Sequence, residues 1–145
     1  MLFSKTCEYA IRATVHIAHQ SQLQKRSGLK EIAGAIDSPE AFTAKILQQL
    51  VKNDIVKSVK GPSGGFEIEP ETMKKLKLHK VIEAIDGNGV FKDCGLGLRD
   101  CNEKNPCPIH NQFKPIREQL NKIFFSTSIE DLADKMQDGV TFLKL

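Results

Sequence analysis

The chain has no tryptophan, one tyrosine and four cysteines in 145 residues, and each scarcity excludes something. Four cysteines fall short of the density of a secreted, disulfide-stapled scaffold. Three of them crowd into one stretch, too close together to brace distant parts of a fold. No run approaches the roughly 18 apolar residues of a membrane span, and the opening residues MLFSKTCE lack the basic segment and apolar run of an export signal. A reducing cytoplasm and no membrane partner are therefore expected. Neither sign of charge dominates: 21 Lys and Arg against 18 Asp and Glu leave a formal net charge of +3. Any nucleic-acid contact must then be argued from local pattern. There is no glycine-rich phosphate loop and no serine or cysteine nucleophile with an obvious base, so neither enzyme activity nor a small-molecule substrate is expected. Internal repeats and low-complexity segments are absent, and the length suffices for one proper core.

What is present is mostly helical pattern. Tyr9, Ala10, Ala13, Ile17 and Ala18 recur at near-helical spacing, predicting a helix from Ser4 to about Gln20 with Ser4 as its cap. Leu29–Ile36 predicts a short second helix. Asp37-Ser-Pro-Glu40 then offers Ser38 as a cap and Pro39 at the first helical position of a third helix, running to about Asn53. On that helix Phe42, Ile46, Leu47, Leu50 and Val51 are expected inward, with Glu40, Thr43, Lys45, Gln48, Gln49 and Lys52 outward. A helix-turn-helix pair results. Ile55–Val59 and Phe66–Glu69 alternate like strands around the turn cluster Lys60-Gly-Pro-Ser-Gly-Gly65, adding a hairpin wing. Thr43, Lys45, Gln48 and Gln49 bring hydrogen-bonding groups without bulk to a helix that would lie in a major groove. The tip of Lys60, Gly61, Pro62 and Ser63 is narrow and basic enough to approach a minor groove or a phosphate backbone. Further helices are predicted at Glu71 to about Asp86, at Asn111 to about Phe125, where Phe113, Ile116, Leu120, Ile123 and Phe124 form a near-heptad stripe, and at Ser128 to Met136. Ser128 and Asp131 stand in a capping-box arrangement at the start of the last.

Between these helices lies DCGLGLRDCNEKNPCPIH, in which Cys94, Cys101, Cys107 and His110 follow the pattern Cys-x6-Cys-x5-Cys-x2-His. Zinc knots normally use tighter pairs such as Cys-x2-Cys, because two ligands clamp one ion from a single turn. Wider spacings suit an inorganic cluster whose edges are reached by separate thiolates, with glycines for close approach and prolines for stiffness. The spacing favours an iron-sulfur cluster, ahead of zinc, a thiol or disulfide switch, or no bound ligand. Cys7 reads as a small core residue, and His16, His19 and His79 as surface or satisfied core histidines.

The stretches CEYAIRATVHIA, AFTAKILQQLVKNDIVKSVKGPSGGF, VIEAIDG, the three-cysteine loop and SIEDLAD together resemble the family of iron-sulfur regulators typified by IscR and the nitric-oxide-responsive NsrR, across roughly Phe3 to Ala133. The resemblance implies a mainly α fold with a small β wing: a winged helix-turn-helix with a long C-terminal dimerisation helix. It implies residues 1–70 as the DNA-binding region, with Ser38, Glu40, Thr43, Lys45 and Gln48 on the recognition side and Lys60, Gly61, Pro62 and Ser63 in the wing. Residues 71–145 would supply a helix, the cluster loop and the dimer helix. A homodimer on double-stranded DNA, at a palindromic operator and acting as a repressor, is further implied. The cluster would rest on Cys94, Cys101, Cys107 and a fourth ligand. His110, as in the IscR type, favours 2Fe-2S; Glu8, where the NsrR type carries an acidic ligand from the partner subunit, would favour 4Fe-4S. The first cysteine spacing is one residue longer than the IscR pattern, and Lys60 stands where those wings often carry arginine. Alternatives from the residues are a cluster-free thiol-switch or zinc-binding transcriptional regulator, or an iron-sulfur assembly or electron-transfer protein.

Overall fold

Ser4 opens the first helix as its sequence predicts: its hydroxyl accepts a hydrogen bond from the Cys7 amide at 3.0 Å, satisfying a donor that the first turn leaves without an intrahelical partner. The computed structural model describes residues 2–137, 139 and 141–143. The ends of the two expected regions, Met1 in the first and positions 138, 140, 144 and 145 in the second, lie outside the described residues. Helix α1 (Lys5–Gln22) is followed by α2 (Leu29–Ile36) and α3 (Glu40–Lys52).

The turn between α2 and α3 and the helix after it differ from expectation in three ways. Ser38 does not cap α3: its hydroxyl is buried without a hydrogen-bond partner, while its amide donates to Ala33 O at 3.0 Å and so closes the end of α2. Asp37, left-handed at φ 56°, makes that closure possible, and Pro39 occupies the cap position of α3. Thr43 is not outward. It is 0% exposed and donates its hydroxyl to Pro39 O at 2.9 Å. Its position is three, four and seven residues before Ile46, Leu47 and Leu50, all buried, so helical phase carries it into the core.

The wing is β1 (Lys57–Val59) paired antiparallel with β2 (Gly65–Glu67), with Ser58 opposite Phe66. It is shorter than the predicted strands because Ile55, Val56 and Ile68 leave the hairpin to fill the core beneath it. Ser27 extends the ladder: its amide donates to Phe66 O at 3.1 Å and its carbonyl accepts from Phe66 N at 2.8 Å. Gly65 meets this edge at φ 140°, where a Cβ would come 2.9 Å from Ser27 O.

The single helix predicted over residues 71–86 is two, α4 (Pro70–Lys75) and α5 (Leu78–Asp86). The break is tertiary in origin. Leu78 N donates to Thr127 O at 2.9 Å and Ile129 N donates to Leu76 O at 2.8 Å, so an extended Leu76–Lys77 pairs with the segment before the last helix. A four-residue α6 (Gly89–Lys92), the cysteine loop, α7 (His110–Ser126) and α8 (Ile129–Gln137) complete the chain. The capping box forms: Ser128 Oγ accepts from Asp131 N at 3.0 Å and Asp131 Oδ2 accepts from Ser128 N at 2.9 Å.

Ala10, Ala13, Ile17 and Ala18 put α1 at the centre of the main core, against Ile32, Ile36, Ile46 and Leu50 on one side and Val81, Ile129 and Ala133 on the other. Residues from both sides of Pro70 thus share one core. Gln22 adds a polar clasp, donating to Asp134 at 2.7 Å and accepting from Gln137 at 2.8 Å. A smaller core of Cys7, Ile82 and Phe124, lined by Phe3, Leu78, Phe91 and Leu120, joins the start of α1 to α5, α6 and α7. The cysteine loop is suspended between the last two of these.

Candidate metal centre and nucleic-acid interface

The loop is held from its flanks before its cysteines are considered. On α7, Arg117 donates to Asp93 O at 2.9 Å and Asn121 donates to Phe91 O at 2.8 Å, tying the segment that enters the loop to the helix that leaves it. Gly95 passes so near α7 that a Cβ there would fall 2.9 Å from the Phe113 ring. At the far end Asn102 Oδ1 accepts from the amides of Lys104 at 2.8 Å and Asn105 at 3.0 Å, a local turn that reverses the chain toward Cys107. Lys114 pairs with Glu103 across the loop.

These restraints bring together Cys94, Cys101 and Cys107, whose sulfurs all lie within 4.8 Å of one another. Cys94 Sγ is 3.5 Å from Cys107 Sγ. Backbone amides point at the sulfurs: Leu96 N donates to Cys94 at 3.4 Å and Cys107 N to Cys101 at 3.3 Å. The amides of Leu96 and Leu98 favour the thiolate of Cys94 and bring its pKa down to about 7. At Cys101 the Cys107 amide acts in the same direction, but burial and the neighbouring thiols together outweigh it and the pKa rises. Cys7 is a different case. Burial first, then Asp86, pushes its pKa up to about 12, so it stays a thiol.

His110, the first residue of α7, sets Nδ1 3.3 Å from Cys101 Sγ, while its Nε2 is buried without a partner. Glu8 lies on α1 and pairs with Lys5 at 3.6 Å. Among the described residues, neither completes a four-membered ligand group at the spacing of the three sulfurs. Three convergent thiols, with the His110 imidazole in contact with one of them, are a donor set that could hold an iron-sulfur cluster.

On α3, Glu40, Lys45 and Gln48 are exposed together with Gln49 and Lys52, whereas Thr43 is fully buried and Ser38, before the helix, is half-buried. Lys60, Gly61, Pro62 and Ser63 are all exposed at the wing tip, where Gly61 takes φ 103° and accepts at its carbonyl from Gly64 N at 2.9 Å. Arg26 joins this face without a signal in the sequence. It reaches the wing from before α2, donating to Glu67 at 3.0 Å and to Ser63 O at 3.2 Å. Its polar neighbourhood, QLQKRSG, carries no periodic signal that distinguishes it from a solvated loop. The helix-start histidine and the three thiols were visible from spacing; the Arg117 and Asn121 clamps were not, because they act on carbonyl groups that any sequence supplies.

A family model described as Rrf2, iron-dependent transcriptional regulator, matches residues 3–135. An Aquifex aeolicus protein named as an HTH-type transcriptional regulator is 34% identical over 135 residues, covering 91% of this chain and 91% of its own length. The HTH-type transcriptional regulator IscR of Xenorhabdus nematophila is 25% identical over 129 residues, covering 89% of this chain and 77% of that protein. Among solved structures, CymR, the global cysteine regulator of B. subtilis, aligns with a TM-score of 0.73 at 21% identity, covering 92% of this chain and 96% of the other. T. potens IscR aligns at 0.72 and 18% identity, covering 95% and 90%; at such identities the likeness shows the fold.

Proposed function

The chain belongs to the Rrf2 family of iron-dependent transcriptional regulators, and from that premise we propose that it is a homodimeric repressor of a palindromic operator, governed by an iron-sulfur cluster on Cys94, Cys101 and Cys107. The signal read through that cluster is redox poise, nitric oxide or iron-sulfur status. The observation that carries the reading is the convergence of the three sulfurs within 4.8 Å in a chain that also exposes a recognition helix and a basic wing.

Each part of the chain has a defined task. Cys94, Cys101 and Cys107 supply thiolates, and backbone amides at Leu96, Leu98 and Cys107 lower the cost of holding negative sulfur there. When bound, the cluster supplies redox and ligand-exchange chemistry that thiols alone do not. Arg117 and Asn121 pass the conformation of the loop to α7. Phe113, Ile116, Leu120 and Ile123 line one face of α7, and Ile116 and Ile123 are 54% exposed. That face meets its equivalent in a second copy. Two recognition helices are thereby set at a spacing that must match the half-sites, so a shift of α7 changes operator affinity. Gln48 and Lys45 meet base edges and Lys60 meets phosphate, with Glu40 at the start of the helix, Ser38 in the turn before it, and Gly61, Pro62 and Ser63 shaping the tip.

His110 is the favoured fourth ligand, with a 2Fe-2S cluster, since its Nδ1 stands 3.3 Å from Cys101 Sγ. Glu8 with a 4Fe-4S cluster is the competing assignment. Protein purified without oxygen is expected to be coloured and to contain iron and acid-labile sulfide; stoichiometric zinc alone would defeat the proposal. His110→Ala should change the absorption spectrum and potential while Glu8→Ala leaves both alone, and the reverse pattern reassigns the ligand.

A further inference from the structure

We propose that Cys94 and Cys107 form a specific, reversible disulfide when the cluster-free protein meets a hydroperoxide, and that this bond closes the loop to cluster insertion. The second half rests on the function proposed above; the first does not.

The three thiols are not equivalent. Cys94 Sγ and Cys107 Sγ stand 3.5 Å apart, so a bond of about 2.05 Å needs about 1.5 Å of closure. Cys101 makes its near contacts elsewhere: it accepts from Cys107 N at 3.3 Å and meets His110 Nδ1 at 3.3 Å. Within this pair accessibility sets the order of events, since Cys94, like Cys101, is partly exposed and Cys107 is 9% exposed. Of the two, Cys94 is the sulfur a hydroperoxide reaches, and Cys107 is the buried neighbour placed to resolve the product.

In the first step the Cys94 sulfur attacks the peroxide, the O–O bond breaks, and the sulfur becomes a sulfenic acid as the hydroperoxide leaves as an alcohol or water. In the second the Cys107 sulfur attacks Cys94, the S–S bond forms, the S–O bond breaks, and hydroxide leaves with the Cys107 proton as water. Two thiols lose two electrons and one peroxide gains them.

The closure demands little of the fold. Asp93 is held by Arg117, and Gly95 lies against Phe113, so the start of the loop is already pinned to α7. Gly97, at φ 73°, sits in the segment that must adjust. The bond uses two of the three proposed cluster thiols, which is why it would exclude the cluster.

Trypsin makes the test direct, since cleavage after Arg99 and Lys104 places the three loop cysteines in separate peptides. Reduced, cluster-free protein is treated without oxygen with one equivalent of hydrogen peroxide, alkylated, digested and mapped by mass spectrometry. The expected result is a Cys94–Cys107 cross-linked pair with Cys101 alkylated, reversed by dithiothreitol. Cys101→Ser should retain the cross-link and Cys94→Ser should abolish it. Predominant links through Cys101, or sulfinic acid accumulating at Cys94 in place of a link, overturn the proposal. Oxidised protein should take up less than a tenth of the iron and sulfide that the reduced protein takes up, until thiol is added. Uptake by oxidised protein equal to that of reduced protein overturns the exclusion. If neither form takes up iron and sulfide although the cross-link appears, the cluster reading fails and the disulfide stands.

Discussion

Cys7 and Cys107 are both buried, yet their surroundings give them opposite chemistry. Cys7 packs with Ile82 and Phe124 beside Asp86, and burial holds its thiol protonated. Cys107 faces Cys94 and Cys101 across a few ångströms. Cys7→Ala should therefore leave iron and sulfide content unchanged and cost about 1 kcal/mol of stability for the small buried volume removed. Alanine at Cys94, Cys101 or Cys107 should abolish the visible absorption. Spectra and metal analysis on the four variants check both statements; loss of colour in the Cys7 variant alone would reverse the assignment.

Within α3, helical phase separates neighbouring polar residues into a buried and an exposed set. Thr43 spends its hydroxyl on Pro39 O in the core, so Thr43→Ala should lower stability by about 1 kcal/mol and leave base preference intact. Gln48 is exposed on the other face, and Gln48→Ala should do the opposite, relaxing discrimination by about 1 to 3 kcal/mol at one operator position if Gln48 bonds a base edge through both its amide atoms. Thermal melts and binding to a set of singly substituted operators distinguish them. Helix α8 depends on its capping box, and Ser128→Ala should cost about 1 kcal/mol. The Ser128 amide, then its hydroxyl, holds the Asp131 carboxyl below the usual aspartate value of 3.8. A lowered folded pKa means the carboxylate contributes fully above pH 3.8 and loses its contribution as pH falls through the folded value. Asp131→Asn should flatten that acid limb of the stability profile, read as melting temperature against pH; because the side chain is exposed, the change is small.

At the scale of the whole molecule, charge and symmetry decide DNA binding. A net charge of +3 is too small to act through bulk attraction, so in the proposed interface affinity would come from placed cations such as Lys60. Lys60→Ala should weaken binding to every sequence and flatten the slope of log affinity against log salt by about one unit for each phosphate no longer neutralised. Equal affinity for operator and random DNA would count against specific regulation. The α7 stripe should carry association: Ile123→Glu puts a charge in the proposed interface, and sedimentation should then show a monomer with operator binding reduced at least tenfold. A variant that remains dimeric moves the interface elsewhere.

Periodicity made α1, α2, α3 and the α7 stripe legible, because a helix repeats its burial every few residues. The Ser4 cap and the Ser128–Asp131 box were legible for a similar reason: both are bonds between residues three apart. Spacing also showed the three loop cysteines as one group. Where reading by residue type alone failed, at Thr43 and Ser38, the polarity of a side chain was taken for its direction, although helix phase and the closure of α2 decide that. The split of the 71–86 helix, the Ser27 edge of the wing and the Arg26 and Arg117 clamps depend on chain segments from about 25 to 50 residues away. Elements whose bonds are local, and the grouping of the three loop cysteines, are written into the order of residues. Which backbone groups those elements leave for distant partners, and hence the 3.5 Å approach of Cys94 to Cys107, follows from packing, because closing such pairs requires the core that holds their chains together.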